Sequence, residues 1–194
     1  ALGEHPHLIK MLGRGDKVHE NTRYLYLILE LHEGDLYDWQ LEFRRPAKHA
    51  EWKRLGRDVL VHQDIVLRHM AAHVGLALDH MQSKGYIHRD VKPENMGRKW
   101  TPGLNIVLAD LGFARPITDE KGALIDPKDR GFRPATTWSY AGPATLKGHH
   151  QYYVDDAHTL IFSLVRNFYI YGKHPMFDSH NKRQMAYLKE TFLA

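Results

Sequence analysis

One stretch of the sequence, Y-I-H-R-D-V-K-P-E-N-M at residues 86–96, places three side chains of complementary chemistry at fixed spacing. Asp90 can accept a proton, Lys92 carries a positive charge, and Asn95 offers an amide oxygen to a metal ion. A further carboxylate, Asp110, is followed closely by a glycine, which lets the backbone turn sharply beside a bound cation. Phosphoryl transfer needs metal ions, an oriented hydroxyl and fixed positive charge, and little covalent help. The spacing therefore predicts a phosphoryl-transfer site.

A long amphipathic helix and a short strand are predicted on either side of this stretch. Within residues 64–84, apolar side chains recur every three or four positions, which is typical of a helix with one buried face. They are Leu67, Met70, Val74, Ala77, Leu78 and Met81. Gly85 follows at a position where glycine commonly ends a helix. N-I-V-L-A at 105–109 is a β-favouring run that leads directly into Asp110.

The other patterns predict an α+β fold that is mostly α. In chain order they indicate strands at 8–12 and 24–31 and helices at 36–44, 155–170 and 181–192. The polar run 13–22 is expected to connect the two strands of a hairpin. Residues 46–60 are ambiguous, and 115–150, rich in Pro, Gly, Thr and charges, are expected to be a long irregular segment of the kind that often carries function. The helix at 155–170 is apolar all round, which predicts burial.

Composition limits the classes of protein to consider. The chain has 194 residues, 43% apolar and 26% charged, which suits one globular domain. It has no cysteine, which excludes disulfides, thiolate zinc sites and a cysteine nucleophile. The formal charge of +4 favours anionic partners such as nucleotide phosphates, but no basic stripe predicts a nucleic-acid binder. No apolar run is long enough for a membrane span, and the start of the sequence has no signal-peptide pattern. The absence of cysteine fits an intracellular protein, cytoplasmic or nuclear, which is the expectation here.

H-R-D-V-K-P-E-N followed by D-L-G resembles the catalytic and metal-binding loops of a eukaryotic-type protein kinase. The resemblance implies ATP and Mg²⁺ as cofactors and a protein substrate. It implies that Asp90 orients the substrate hydroxyl, that Lys92 steadies the transferred phosphate, and that Asn95 and Asp110 hold magnesium. Arg89 would meet a phosphate or an acidic group on the activation loop.

Further motifs extend the resemblance along the chain. L-I-L-E-L-H-E-G-D-L resembles the last small-lobe strand and the hinge, with Leu29 as gatekeeper. Glu30, Leu31 and Asp35 would then bind the nucleotide, the first two through backbone groups facing adenine. H-P-H-L-I-K-M-L resembles the segment that follows the family's regulatory helix.

T-T-W-S-Y-A-G-P-A resembles the end of the activation segment and would place Thr137 against Asp90 and Lys92. Y-V-D-D-A-H-T-L resembles the start of the buried helix whose aspartate holds the backbone of the catalytic loop, and Asp155 is interpreted as that residue.

The resemblance implies two regions. Residues 1–34 would be a remnant of the small lobe, and 35–194 the large lobe, with the catalytic loop at 86–96 and the activation segment at 110–144. The lobe would be truncated after about the helix at 181–192. No G-x-G-x-x-G, no V-A-I-K-like lysine and no regulatory helix with its glutamate occur in the sequence. These parts cover and pin the ATP phosphates, so this chain by itself is expected to show little or no activity.

The double aspartate, G-F-R, K-H-P-M-F and K-E-T-F look most like the casein kinase 1 and tau-tubulin kinase group. By that resemblance Lys128, Arg130 and Arg133 would bind a phosphate on the loop or on a primed or acidic substrate. A solvated charge run is the alternative for these three residues. Lys92 within H-R-D-V-K-P-E-N resembles serine/threonine rather than tyrosine kinases.

Two other functions stay open at this point. The first is a non-catalytic, kinase-like scaffold, which the missing small-lobe motifs favour and the complete set of magnesium and proton-handling residues opposes. The second is a zinc hydrolase that uses His69, His73 and His80. H-M-A-A-H has the spacing of a zinc pair but lacks the glutamate of a metalloprotease, so these histidines are expected to edge the polar face of their helix.

Overall fold

The computed structural model describes residues 2–43, 45–99, 103–126, 136–168 and 174–194. The strands are β1 (Met11–His19), β2 (Thr22–Leu29), β3 (Tyr86–Ile87), β4 (Met96–Lys99), β5 (Asn105–Leu108) and β6 (Arg115–Pro116). The helices are α1 (Leu36–Phe43), α2 (Pro46–Arg54), α3 (Val59–Ser83), α4 (Pro143–Leu146), α5 (Tyr153–Phe168), α6 (Pro175–Asp178) and α7 (Lys182–Leu193). The described part of the chain is mostly helical with short strands, which confirms the predicted α+β, mostly α class.

Strands β1 and β2 form an antiparallel hairpin whose boundaries differ from the prediction. Glu20 and Asn21 both have positive φ, 47° and 60°, which is typical of a two-residue hairpin turn. This turn places His19 opposite Thr22, and the paired residues continue from there to Met11 opposite Leu29. The prediction that 13–22 is a connecting loop was therefore wrong. Apolar and polar residues alternate in a strand that has one buried face. Residues 13–22 lack this alternation because both faces of the hairpin are largely exposed.

Helix α3 supplies the main core surface, as predicted. Its buried face contains Val66, Met70, Val74, Ala77 and Met81, all fully inaccessible to solvent. The helix starts earlier than the apolar periodicity does, because the Asp58 side chain accepts hydrogen bonds from the backbone amides of Leu60 and Val61.

A glycine ends α3, as predicted. Gly85 follows the helix with φ +76°, which few other residues adopt without strain.

Two short antiparallel pairs bring the segments around 90 and 110 together. Strand β3 pairs with β6, and β4 pairs with β5 in the register Met96↔Leu108. Immediately beyond the second pair, the amide of Ala109 donates to the carbonyl of Asn95 at 2.8 Å. The chemistry-bearing loop and Asp110 are therefore held at the ends of paired strands.

The ambiguous region and the long irregular segment contain helices that the sequence did not predict, α2 and α4. The predicted helices at 155–170 and 181–192 are confirmed as α5 and α7. Helix α5 buries one face, which includes Asp156, Leu160 and Phe162, but Val154 is 54% and Ile161 37% exposed. The prediction that this helix is buried all round was therefore wrong. No helix among the described residues is both long and apolar enough to cross a membrane.

Candidate active site

The backbone of the loop at 86–96 is held by a carboxylate from helix α5. Asp156 accepts hydrogen bonds from the amides of His88, at 2.6 Å, and Arg89, at 2.8 Å. Arg89 has φ +77°, an uncommon conformation that these bonds help to hold. The assignment of this role to Asp155 was therefore wrong.

Asp155 instead accepts from the hydroxyl of Thr145 at 3.1 Å and from the amide of Tyr152 at 2.8 Å, which links helices α4 and α5. Successive helix residues point about 100° apart, so only one of two adjacent aspartates can face the loop. Burial raises the pKa of Asp156 to about 6, and the negative charge of Asp155 adds to the rise, whereas the two amide hydrogen bonds oppose it.

His88 joins the loop to the end of strand β5. Its ring is fully buried, its Nε2 donates to the carbonyl of Ala109 at 3.0 Å, and its Nδ1 accepts from the amide of Asp90 at 3.3 Å. Burial lowers the pKa of His88, and the carboxylates of Asp90 and Asp110 oppose that shift. Both carboxylates therefore act on one imidazole. No sequence pattern predicted this linking role of His88.

Four of the predicted site residues lie in one hydrogen-bonded cluster. The Asp90 Oδ1 atom accepts from the Thr137 amide at 3.0 Å and the Thr137 hydroxyl at 2.8 Å. The Oδ2 atom lies 2.7 Å from Lys92 Nζ and accepts from Asn95 Nδ2 at 3.1 Å. Lys92 Nζ also donates to the Thr137 hydroxyl at 2.9 Å.

The cluster keeps Asp90 ionised. Burial acts to raise its pKa, but hydrogen bonds from Lys92 and Thr137, together with the charge of Lys92, outweigh burial and hold the pKa below its usual value. Asp90 is 3% exposed, so water competes little for its oxygens. A group with these properties is a hydrogen-bond acceptor at neutral pH.

Asn95 and Asp110 have the donor atoms that a magnesium ion prefers. Asn95 Nδ2 is directed at Asp90, donating to its carbonyl at 2.8 Å and to its carboxylate, which turns the amide oxygen away from that group. Asp110 is exposed at the end of β5, in a left-handed conformation, with Oδ1 accepting from the Gly112 amide at 3.2 Å. Magnesium usually takes one or two protein oxygens and completes its shell with water and phosphate, so this sparse set fits it.

No group of three or more His, Cys, Asp or Glu residues able to hold a metal occurs within the described ranges. The histidines considered for zinc make other contacts. The Nδ1 atom of His73 accepts from the amide of Ile106 at 3.1 Å, and Nε2 of His80 lies 2.7 Å from the carbonyl of Leu2. The rings of His73 and His80 also stack on His7 and His5. His73 and His80 therefore link the N-terminal segment to helix α3, in addition to lying along the edge of its polar face.

The three predicted nucleotide-binding residues lie at different places around the hinge. Glu30 donates its amide to the carbonyl of Lys10 at 3.0 Å, and its carboxylate pairs with Lys99. Leu31 is 91% exposed. The Asp35 carboxylate accepts from the amide of Asp38 at 2.8 Å and caps α1.

A cavity of about 790 Å³ adjoins the hinge, and its lining includes Glu30 and Leu111 but none of Asp90, Lys92 or Asn95. It therefore lies beside the cluster and does not contain it.

The predicted basic residues before Thr137, which are Lys128, Arg130 and Arg133, lie outside the described residues. Arg89 is 3% exposed. Its guanidinium donates to the side-chain oxygen of Gln151 at 2.8 Å and to the carbonyl of Phe113 at 3.3 Å. A phosphate partner for Arg89 stays a prediction.

Comparison with known proteins places these features in a family. The family model described as a protein kinase domain matches residues 1–192. The chain is 29% identical to ribosomal protein S6 kinase alpha-2 of Mus musculus over 149 residues, which is 75% of this chain and 16% of that protein. It is 33% identical to a serine/threonine-protein kinase of Drosophila yakuba over 119 residues, which is 59% of this chain and 13% of that protein.

It is also 30% identical to a probable myosin light chain kinase of Dictyostelium discoideum over 119 residues, 61% of this chain and 32% of that protein. The matches thus span between 13% and 32% of the length of these curated relatives.

Proposed function

Because the chain belongs to the protein kinase family, we propose that it carries the catalytic large lobe of a serine/threonine kinase, which transfers the γ-phosphate of ATP to a protein hydroxyl. The observation that carries this proposal is the convergence of Asp90, Lys92, Asn95 and Thr137 through contacts of 2.7–3.1 Å. A surface loop without a function has no reason to bury an ionised carboxylate beside a cation in this way.

Each residue has a role that its contacts support. Asp90, ionised and oriented, accepts a hydrogen bond from the incoming hydroxyl and aligns its oxygen with the phosphate. Lys92 keeps a positive charge within 2.7 Å of Asp90 and offers a donor to the transferred phosphate. Thr137 fixes both groups while the acceptor protein approaches.

Asn95 and Asp110 would hold magnesium, which when bound neutralises the charge on the phosphate oxygens. The adenine would meet backbone groups of the hinge at Glu30 and Leu31. Since the amide of Glu30 is already bonded to Lys10, its carbonyl is the group left for this contact. Asp35 lies at the start of α1, where its carboxylate accepts a hydrogen bond from the amide of Asp38. It can bind the ribose of the nucleotide only if that hydrogen bond is broken.

The division into a small-lobe remnant at 1–34 and a large lobe at 35–194 remains part of this proposal. The hairpin exposes large apolar side chains that a complete small lobe would cover, such as Leu25 at 81% and Leu27 at 62%. The sequence also contains no glycine-rich phosphate loop. We therefore expect little or no phosphate transfer from this chain by itself.

The casein kinase 1 and tau-tubulin kinase group, and with it a preference for acidic or phosphate-primed proteins, rests on the sequence patterns alone. Charge reversal at Arg130 and Arg133 tests it. A loss of preference for phosphorylated over unmodified peptides supports the subgroup, and an unchanged preference contradicts it.

A kinase-like scaffold is the second candidate, and the exposed apolar hairpin is the observation that favours it. One experiment separates the two. The protein expressed from its natural reading frame is assayed for magnesium-dependent phosphate transfer to a mixture of Ser/Thr peptides, beside Asp90→Asn and Asp110→Asn variants.

A kinase loses roughly 10²-fold or more in transfer with Asp90→Asn while it still binds Mg·ATP. Asp110→Asn weakens the binding of Mg·ATP itself. A wild-type protein with no transfer above the Asp90→Asn background would leave the scaffold as the function.

A further inference from the structure

Lys189 is a lysine buried without a carboxylate. It lies on helix α7 with a side chain that is 0% exposed. None of the salt bridges among the described residues includes it. A buried ammonium costs several kcal/mol unless other groups replace its water. The site must therefore contain such groups.

Three backbone carbonyls replace that water. Lys189 Nζ donates to the carbonyls of Ala141 at 2.8 Å and Ser139 at 2.9 Å, and it lies 3.5 Å from the carbonyl of Trp138. An ammonium has three protons, so these contacts match its full donor capacity. All three carbonyls belong to one short turn, residues 137–141.

The walls of the site are aromatic. The ammonium lies 4.6 Å from the ring centre of Phe162 and 5.3 Å from that of Phe177, distances at which ring faces attract a cation. Burial, followed by repulsion from Arg166, lowers the pKa of Lys189 to about 7. The ammonium and the neutral amine therefore both occur near neutral pH.

The other charged groups around this site are paired or peripheral. On α5, Arg166 lies over the rings of Tyr140 and Phe177 and pairs with Asp178 of α6 at 2.9 Å. On α7, Glu190 pairs with Lys147, the residue that follows α4.

Two further groups lie at the edge of the site. Lys182 lies over the Trp138 ring at 3.3 Å, and the ring of His174 is 6.2 Å from that of Phe177. No carboxylate in this described set lies against the Lys189 ammonium, so the turn carbonyls are its main polar partners.

The turn that Lys189 contacts contains a residue of the candidate active site. The carbonyl of Thr137 accepts from the amides of Tyr140 at 3.0 Å and Ala141 at 3.2 Å, which closes the turn. At its other end Thr137 bonds to Asp90 through both its amide and its hydroxyl. One chain of contacts therefore runs from Lys189, through the turn 137–141, to Asp90.

We propose that Lys189 is a positioning residue whose ammonium gathers the carbonyls of Trp138, Ser139 and Ala141 and so holds Thr137 against Asp90. The contact geometry carries the structural part of this proposal, and only its consequence for phosphate transfer rests on the proposed function. Without the cation, three carbonyl dipoles face one another in an apolar pocket, and the turn must rearrange to hydrate them.

The charge state of Lys189 gives the proposal a pH dependence. The amine has two protons and a lone pair, so it cannot donate to all three carbonyls. Turn order should fall as pH rises through about 7. The free energy of unfolding should change in the opposite direction. Because the pKa of Lys189 is lower in the folded than in the unfolded state, the unfolded state binds more protons above pH 7, and the folded state gains stability as pH rises from 7 towards the unfolded pKa. The two measurements therefore separate positioning from stability.

The test is amide hydrogen exchange of the 194-residue chain, followed for Thr137, Tyr140 and Ala141. Lys189→Met retains the length and apolar packing of the side chain but removes the donors. We expect the three amides to exchange at least about tenfold faster in this variant, with the amides of α3 unchanged. Lys147→Met is the matched control, since it removes a lysine that contacts α7 without touching the turn.

Unchanged protection of the three amides in a folded Lys189→Met protein would overturn the proposal. Should that variant fail to fold, the wild-type chain decides. After correction for intrinsic exchange, protection of the turn relative to α3 must fall between pH 6 and pH 8.5, and a constant ratio refutes the proposal.

A separate transfer assay, run on the protein expressed from its natural reading frame, distinguishes this proposal from the kinase assignment. Loosened turn amides together with a lower kcat and an unchanged KM for ATP support both. Loosened amides without any phosphate transfer in the wild type retain the role of Lys189 and remove only the kinase function.

Discussion

Thr137 bonds to Asp90 twice, donating its amide at 3.0 Å and its hydroxyl at 2.8 Å to the same carboxylate oxygen across 47 positions of sequence. The hydroxyl also accepts from Lys92 at 2.9 Å. A single side chain thus sets the position of both the Asp90 carboxylate and the Lys92 ammonium. The end of the segment 110–144 is thereby a structural part of the candidate active site.

Replacing Thr137 tests that coupling. Thr137→Val keeps the shape of the side chain but removes its hydroxyl. Asp90 then loses one of the hydrogen bonds that it accepts, and Lys92 loses the hydroxyl to which it donates. We expect a loss of about 1–2 kcal/mol in the free energy of unfolding and a rise in the pKa of Asp90. Urea unfolding and carboxylate NMR titration measure the two effects. Thr137→Ser retains the hydroxyl and should lie close to wild type; equal effects of both variants would contradict the assignment.

The two adjacent aspartates of α5 should differ in what they affect. Asp156→Asn leaves one oxygen for the two amides of His88 and Arg89, and we expect a loss of about 1.5–3 kcal/mol at pH 7.5 with large changes in the chemical shifts of both amides. Asp155→Asn is the matched control. It should disturb Tyr152 and Thr145 while leaving the amides of the loop near their wild-type shifts. The reverse pattern would restore the sequence-based assignment.

Stability should depend on pH through His73. Burial, helped by the neighbouring His7 and His69, lowers its pKa to about 4, below the usual 6.5. The unfolded state therefore binds the proton more readily, and stability present above pH 6.5 is lost as pH falls towards 4. Allowing for solvent screening, we expect a difference on the order of 1 kcal/mol between pH 5 and pH 7.5.

His73→Asn provides the check, because its side-chain oxygen can still accept from the amide of Ile106 but cannot titrate. Urea unfolding at the two pH values should give a smaller difference for this variant than for wild type. His149→Asn, at an exposed position, should behave as wild type. Identical pH dependence of His73→Asn and wild type would contradict the prediction.

The glycine that ends α3 should tolerate no side chain. Gly85 has φ +76°, and a Cβ there would lie 1.8 Å from the hydroxyl oxygen of Thr118. We expect Gly85→Ala to cost about 2 kcal/mol or more in thermal or chemical unfolding. Gly75, inside the same helix, has open space at its Cβ, and Gly75→Ala should stabilise by about 0.5–1 kcal/mol. Equal effects of the two substitutions would refute the distinction.

The sequence by itself determined the main helix and the side chains that are available for chemistry at the candidate site. The apolar residues from Met70 to Met81 predict α3 because a helical period of 3.6 is a local property of the chain. The types and spacing of Asp90, Lys92 and Asn95 predict a site because neighbours within one loop stay close in any fold. The resemblance to protein kinases added Thr137, and that placement agrees with the contacts of the structure.

Only the tertiary structure decided which of the two adjacent aspartates, Asp155 or Asp156, faces the loop at 86–96. Nothing local separates Asp155 from Asp156, since the orientation of α5 about its axis depends on how Phe162 and its neighbours pack. The hairpin register depends on the turn at Glu20 and Asn21, which its apolar pattern does not show.

The buried ammonium of Lys189 had no sequence signal either. The carbonyls that hold it lie about fifty positions earlier in the chain. Backbone carbonyls are the same in every residue, so only the folded arrangement of α7 against the turn 137–141 can make three of them a binding site for a cation.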